Sequence, residues 1–370
     1  GPQGTVAWFR GETPITAEGA MALASALTAL GREPEARTLI VNYWRERSFE
    51  ADAQRAMLTR FGAWLTEADH IKRLDSLLMG PQGPAAQQML SLVPAEHQQL
   101  AQARMALRAG KADALDQAML LPFALQQDPG LAYEKARYLR SKGRITESFE
   151  LLTRWPQAPG HDDGQARLYT EARQYFIAGL QARNWQVAYN AMAGRAFPGG
   201  ERRAESEFFA GWLALTKLNN PAAAAQHFEA IRIAGRTPLT QGRAAYWLGR
   251  AYEAQGQREQ AQTYYKYGSQ FIGAFYGQLA AEKAGYTTLT LPAEPAPTQA
   301  ERDAFEARDV VRAIRILSQI GEDSLFRAFV THVDDNLTRA EDFALLMDMV
   351  RNEGQPFTAM MVGRAAAGKG

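Results

Sequence analysis

One stretch of the chain, from Gln241 to Tyr286, limits the possible folds more than any other, because small and aromatic residues recur in it with a helical period. In its first half the spacing i, i+3, i+4 and i+7 is occupied by Ala245, Leu248, Gly249 and Tyr252. In its second half the same spacing is occupied by Ala261, Tyr264, Tyr265 and Gly268. Gly256 lies between the two halves. The stretch therefore predicts two antiparallel helices joined by a turn, each with one buried stripe.

The small residues in this stretch predict how the two helices meet. Gly249 and Ala261 let the helix axes approach closely, and Tyr252 and Tyr265 fill the space on either side. The positions of these residues are typical of a tetratricopeptide-type repeat. Because neither helix can bury its stripe alone, the pattern predicts further helical hairpins stacked on this one.

Weaker versions of the pattern occur along the chain, each with an apolar stripe, a turn and a second stripe. Their predicted turns are at Gly31, Gly110-Lys111, Gly143-Arg144, Asn184 and Asn219-Asn220-Pro221. A composition of 46% hydrophobic and 22% charged residues suits a well-packed helical protein. The predicted fold is all-α: an α-solenoid of tetratricopeptide-like helical hairpins that forms a superhelix or ring, followed by a small helical linker domain.

Changes in composition predict the domain boundaries. Residues 1–4 are interpreted as a tag scar, because Gly1-Pro2 is typical of a protease-cleavage remnant. Residues 5–286 form the predicted superhelical domain. Residues 287–300 contain three prolines and no helical period, which predicts an extended linker. Residues 301–370 regain apolar helical stripes and form the predicted small helical domain.

Charge, length of apolar runs and cysteine count exclude several classes of protein. A net charge of +1 excludes a strongly electrostatic nucleic-acid or membrane-surface protein. No apolar run reaches transmembrane length, so no membrane span is expected. The absence of cysteine rules out disulfides, iron–sulfur clusters and thiol catalysis. No nucleotide-binding motif is present, and we expect no cofactor.

The histidines and their acidic neighbours do not predict a metal site. The five histidines are scattered without metal-ligand spacing. His161-Asp162-Asp163 is the one cluster of ligand-type residues, and it falls in a segment predicted as a loop from Trp155 to Gly164, so we interpret it as a solvated turn. Asp69-His70 predicts either a helix start or a buried salt network.

Several stretches resemble the superhelical region of soluble lytic murein transglycosylases. They are GWLALTKLNNPAAAAQHFEAI (211–231), TPLTQGRAAYWLGRAYEAQG (237–256) and FYGQLAAEKAGY (275–286). The resemblance continues in 69–78, in 128–144 and in the Pro-rich linker, and covers nearly the whole chain. It implies a periplasmic protein whose superhelical domain closes into a ring, and whose linker domain leads towards a lysozyme-like catalytic domain.

The catalytic part of that family is not recognised in the chain. Members cleave the MurNAc–GlcNAc bond of peptidoglycan with one Glu, in an E-S-x-F pattern followed by a G-L-M-Q-type segment, and release a 1,6-anhydro sugar. Glu205 fits the first pattern and Glu147 fits it partly, but neither is followed by the second. Both are expected to be solvated helix-surface carboxylates without a raised pKa. The chain ends near where that catalytic domain would begin, so we expect no catalytic residue here.

What remains is a binding role. In the Gly242 repeat the concave surface is predicted at Arg243, Tyr246, Arg250 and Glu253. Two guanidinium groups around an aromatic ring could receive a sugar face and the carboxylates of a peptide stem or lactyl group. The alternative is that Arg250 pairs with Glu253 and Tyr246 packs against the next repeat. Three functions stay open: a non-catalytic transglycosylase region that engages peptidoglycan, a periplasmic solenoid adaptor for a protein partner, and an enzyme with a cryptic site.

Overall fold

The computed structural model of the chain describes residues 1–157, 161–288 and 293–369, which form helices and, within those ranges, no β-strand. This confirms the all-α prediction. The α-helices, α1 to α22 in chain order, are Pro2–Phe9, Ala17–Ala29, Glu33–Glu46, Ala51–Phe61, Glu67–Met79, Pro84–Met89, Ala95–Arg108, Ala114–Met119, Phe123–Gln126, Pro129–Ser141, Asp162–Gln181, Trp185–Met192, Gly200–Thr216, Pro221–Ala234, Pro238–Ala254, Arg258–Gly268, Phe275–Lys283, Gln299–Glu306, Asp309–Gln319, Asp323–Asn336, Ala340–Asn352 and Pro356–Lys369. The 3₁₀ helices are Gly62–Trp64, Leu90–Leu92 and Ile145–Arg154.

Many hairpins share one kind of turn. A residue with left-handed φ follows the first helix, and the next N–H bonds back to a carbonyl five residues earlier, as from Arg32 to Leu27 at 2.9 Å and from Gln257 to Tyr252 at 2.9 Å. Glycine adopts this φ without steric cost. The glycines at such turns, with φ between 72 and 75°, are Gly31, Gly110, Gly143, Gly256, Gly321 and Gly354. The turns predicted at the first four are confirmed.

The chain divides into two compact units, residues 1–218 and 219–370. In unit 1, consecutive helices pack as hairpins, as α2 does with α3 and α11 with α12. One core surrounds Trp44, and another surrounds Tyr133, Trp155 and Tyr175. Unit 1 ends inside residues 5–286, the segment predicted as one superhelical domain, whose closure into a ring stays a prediction.

Unit 2 begins with the hairpins that carry the strongest sequence pattern. Helices α14, α16 and α17 pack on α15, and α18 to α22 surround a core that includes Phe305, Phe326 and Leu346. Residues 293–298 are without helix, and α18 begins at Gln299. Residues 289–292 of the predicted linker lie outside the described residues.

Two boundaries differ from expectation. Residues 2–4, interpreted as part of a tag scar, form the first turn of α1, because proline is well suited to the first position of a helix. The loop predicted from Trp155 to Gly164 is shorter than expected, since α11 begins at Asp162. Residues 158–160 of that loop lie outside the described residues.

Candidate functional site

Helix α15 positions the predicted binding residues. It begins where the Thr237 side chain accepts a hydrogen bond from the Thr240 N–H at 3.3 Å, with Pro238 at its first position. A Cβ on Gly249 would lie 2.3 Å from Cε1 of Tyr265, so the tyrosine ring of α16 packs directly on bare α15 backbone. The predicted close approach at Gly249 is therefore present, and it sets the rotation of α15.

Tyr246 is buried in this arrangement. Its side chain is 8% exposed, and its ring centroid lies 5.6 Å from that of Tyr276 and 6.2 Å from that of Tyr265. Its hydroxyl accepts a hydrogen bond from Nη1 of Arg250 at 3.0 Å. The surroundings of Tyr246 match the packing alternative, in which the ring contacts the next helix rather than an open surface.

The Arg250 guanidinium is held in place from two sides. Its Cζ lies 5.9 Å from the ring centroids of both Tyr246 and Trp247, and its Nε lies 3.7 Å from Oε2 of Glu253. Burial acts to lower the pKa of Arg250, but the Tyr246 hydroxyl and Glu253 raise it above its usual value. Since 40% of the side chain is exposed, this oriented cation remains open to an anionic ligand.

Glu253 is the carboxylate partner of the site. It accepts a hydrogen bond from the Tyr265 hydroxyl at 3.0 Å, and Nζ of Lys283 lies 3.2 Å from it. Burial and the hydrogen bond to Glu253 raise the pKa of Tyr265. Arg243 lies half-buried on the same helix. Glu253 lies between two cations, Arg250 and Lys283, so this group of three carries a net positive charge, which suits a ligand carrying a carboxylate.

Aromatic residues of α15 and α17 complete the site, and sequence reasoning missed them. The Trp247 ring lies 5.7 Å from Phe228 of α14 and 6.3 Å from Tyr276 of α17, centroid to centroid. Phe275 lies 5.2 Å from Tyr276 and is 63% exposed. The only indication of them in the sequence was that these aromatic residues stand next to residues of the repeat pattern. We call this group the α15 cluster: Arg243, Tyr246, Trp247, Arg250, Glu253, Phe275, Tyr276 and Lys283. A binding role for it stays a prediction.

His161 is not in a solvated turn, and that interpretation was wrong. The residue is 5% exposed, its Nδ1 accepts a hydrogen bond from the Gly164 N–H at 3.0 Å, and its Nε2 lies 2.7 Å from the Ser76 carbonyl. It therefore caps the start of α11 and ties that helix to α5. The prediction failed because the helix start was placed too late.

Asp69 has both of the roles predicted as alternatives for it, a helix start and a buried salt network. It forms a capping box with Thr66 at the start of α5, and its carboxylate pairs with Arg45. Burial acts to raise the pKa of Asp69, but the hydrogen bonds from Thr66 and Arg45 outweigh it and lower the pKa. His70 stacks edge-on against Trp44 at 5.6 Å. The capping box and the ion pair account for Asp69, and the ring contact accounts for His70.

The two glutamates that imitate a catalytic pattern are engaged in ion pairs or hydrogen bonds. Glu147 is exposed and bonds to Nη2 of Arg144 at 2.7 Å. Glu205 was expected to be solvated, but it is half-buried, accepts a hydrogen bond from the Tyr169 hydroxyl and lies 3.7 Å from Nη2 of Arg173. Helix α11 covers the side of Glu205 that was expected to face solvent. No local sequence pattern indicates this contact.

The part of the chain that the structure describes has neither a candidate metal site nor a candidate membrane span. No group of three His, Cys, Asp or Glu side chains is placed to hold a metal ion there. In the same residues, no helix combines the length and apolar character needed to cross a bilayer.

The chain was also compared with known proteins. No protein-family profile and no curated protein matches it. Among solved structures, it is similar to the 70-kDa soluble lytic transglycosylase from Escherichia coli, at 15% sequence identity and a TM-score of 0.48. A complex of the 70-kDa soluble lytic transglycosylase with bulgecin A matches at 15% identity and a TM-score of 0.47. Each match covers 98% of this chain and 57% of the other, so the chain spans little more than half the length of those proteins.

Proposed function

We propose that this chain is the non-catalytic superhelical and linker region of a periplasmic peptidoglycan lytic transglycosylase, and that it engages or orients on glycan strands. The resemblance of residues 211–231, 237–256 and 275–286 to that family supports the assignment. Catalysis, cleaving the MurNAc–GlcNAc bond to give a 1,6-anhydro product, would belong to a separate domain of the parent protein.

The observation that carries the proposal is the α15 cluster. It combines an oriented, partly exposed guanidinium on Arg250, a second arginine on the same helix and the exposed ring of Phe275. Peptidoglycan offers sugar faces for an aromatic ring and carboxylates on its lactyl groups and peptide stems for guanidinium forks. The net positive charge of Arg250, Glu253 and Lys283 matches that ligand better than a neutral glycan.

Co-sedimentation with purified sacculi tests the proposal. Arg250→Gln and Phe275→Ala are each expected to weaken binding by about tenfold, since a charge-assisted hydrogen bond or an aromatic contact contributes on the order of 1.4 kcal/mol. The matched controls are Arg167→Gln and Phe123→Ala, two exposed residues of unit 1. Wild-type protein that fails to sediment with sacculi, or equal losses in variants and controls, would contradict the proposal.

A second measurement addresses activity. We expect the purified chain to release no anhydromuropeptides from sacculi, because neither Glu147 nor Glu205 is placed as a general acid in a cleft. Release that Glu205→Gln abolishes would instead establish an enzyme with a cryptic site.

The alternative function, a periplasmic adaptor for a protein partner, is favoured by a different surface. Helices α19 and α20 expose four apolar side chains, Ile316, Ile320, Leu325 and Phe329, at 57%, 64%, 48% and 38%. Exposed apolar patches of this kind mark protein contacts. An adaptor would bind a periplasmic protein through this surface, and Ile320→Asp would abolish that binding while sacculus binding stays unchanged.

A further inference from the structure

A pocket of about 580 Å³ lies in unit 1, away from the residues considered so far. It is formed by the segment after α5, by α6 and α7, and by the turn that leads into α8. Its polar lining consists of four glutamines and two cationic side chains: Gln82, Gln87, Gln102, Gln117, Arg108 and Lys111. The volume is within the range of pockets that hold small ligands.

The charge of this pocket is positive. Among the described residues that line it, none is Asp or Glu. The charge of Arg108 is neutralised by an ion pair with the buried Glu134, to which its Nε donates a hydrogen bond at 2.9 Å. Lys111 is exposed and forms no ion pair within the described residues. The ammonium of Lys111 is therefore the unpaired charge among the described residues that line the pocket, and the nearby Asp113 carboxylate is bonded to Gln117.

The glutamines leave much of their hydrogen-bonding capacity unused. Nε2 of Gln82 donates to the Leu78 carbonyl at 3.0 Å and to Glu134 at 3.5 Å, and Nε2 of Gln117 donates to Asp113 at 2.7 Å, which orients both amides. Nε2 of Gln87 donates to Sδ of Met105 at 3.3 Å. Their carbonyl oxygens, and the whole amide of the exposed Gln102, make no hydrogen bond among the described residues. Amides both donate and accept, so this lining suits hydroxyl and acetamido groups.

A neighbouring pocket has a different lining, which shows that the combination of amides and a cation is not common to both pockets. It has a volume of about 550 Å³ and uses another face of α7, but Asp75 and Asp128 line it around the buried Arg104. Its other walls are largely apolar. The glutamine pocket instead combines amides and a cation with a small apolar floor at Leu90 and Met105, against which the CH face of a sugar ring could pack.

We propose that the glutamine pocket binds an acetamido sugar that carries a carboxylate. Lys111 pairs with the carboxylate, and the glutamine amides bond to the hydroxyl and acetamido groups. The choice of N-acetylmuramic acid as that sugar rests on the function proposed above. It would give the chain a second contact with glycan, remote in sequence from the α15 cluster.

Calorimetric titration of the full chain with two matched sugars tests this inference. N-acetylmuramic acid carries a lactyl carboxylate that N-acetylglucosamine lacks. Wild-type protein is expected to bind the first about tenfold more tightly, as for one charge-assisted hydrogen bond. Lys111→Gln should reduce N-acetylmuramic acid binding to the N-acetylglucosamine level and leave the second sugar unchanged. Gln102→Leu should weaken both sugars equally.

Lys72→Gln is the control, because Lys72 is exposed on α5 and lines the other pocket. Equal affinity of wild-type protein for the two sugars, or equal effects of Lys111→Gln and Lys72→Gln, would overturn the inference. Loss of sugar binding with intact sacculus sedimentation would overturn this pocket alone. Sedimentation that is absent while N-acetylmuramic acid binds in a Lys111-dependent manner would contradict the proposed function and leave sugar binding by the glutamine pocket standing.

Discussion

Both units join short helices by close contact at glycine, but they differ in how the carbonyls at helix ends are bonded. In unit 1, buried arginines bond to carbonyls at the C-terminal ends of helices from neighbouring elements. In unit 2, no arginine is buried among the described residues, and helices pack against glycine backbone, as α12 also does at Gly179 in unit 1. The arginines donate hydrogen bonds to helix-end carbonyls that lack intrahelical partners. The glycines let helices pack without a gap between them.

Arg195 shows the unit 1 device most fully. It is 6% exposed and donates to carbonyls at the end of the 145–154 helix, including that of Leu152 at 3.0 Å, and to the carbonyl of Asn190 near the end of α12 at 2.9 Å. Arg73 and Arg108 do the same at the ends of α3 and α5. Helix C-terminal carbonyls lack intrahelical donors and carry partial negative charge, which a guanidinium satisfies. Burial lowers the pKa of Arg195 to about 10, so it stays charged at neutral pH.

Unit 2 relies on glycines that leave room for a neighbour. At Gly249 the Tyr265 ring occupies the place of a side chain, and at Gly268 a Cβ would lie 2.8 Å from that of Ala280. At the C-terminal end of α14 a glutamine amide, rather than an arginine, donates to a carbonyl, as from Nε2 of Gln241 to the Arg232 carbonyl at 2.7 Å. The contrast teaches that helical hairpins packed closely at glycine can be stabilised with or without buried arginines that bond to helix ends.

The largest expected effect is that of Arg195→Met. It leaves several buried carbonyls without donors, and we expect it to lower the free energy of unfolding by about 4 kcal/mol. Urea denaturation measures the change, with Arg167→Met, an exposed arginine on α11, as the control. Similar losses in the two variants would mean that buried arginines are not what distinguishes unit 1.

Gly249→Ala tests the unit 2 device. The new Cβ meets the Tyr265 ring at 2.3 Å, so we expect a loss of about 2 kcal/mol from overpacking. Gly242→Ala is the control on the same helix, because its nearest neighbours are at 3.4 Å and alanine favours helix. Thermal unfolding should show destabilisation only in the first variant. A smaller residue in place of Tyr265 should relieve it, and no such rescue would contradict the packing account.

The smallest effect concerns Asp69 and depends on pH. Because its folded-state pKa is lowered, the carboxylate stabilises unit 1 above the unfolded pKa of about 3.9, and this contribution is lost as pH falls through the folded pKa. Asp69→Asn should therefore cost about 1 kcal/mol at pH 7 and progressively less below pH 4. Denaturation at several pH values checks this, with the exposed Glu67→Gln as control. A difference that does not shrink in acid would exclude the charge as its source.

Sequence patterns predicted the hairpins well and the burial of polar side chains poorly, for a physical reason. Turn glycines and i, i+3, i+4 stripes are local requirements, so Gly256 and Gly249 could be interpreted from their neighbours alone. Solvation is not local. Glu205 was expected in water and is bonded to Tyr169, and His161 was placed in a solvated turn that is the buried start of α11.

The sequence by itself determined the all-α fold, the position of four glycine turns and the close contact of α15 with α16, because helix formation and turn geometry depend on residues near one another in the chain. Only the tertiary structure decided which side chains surround Arg250, which arginines cap which helix ends, and that four glutamines and Lys111 share one pocket. Those groups come from separate helices, and their meeting depends on the packing angles of whole elements, which no local pattern specifies.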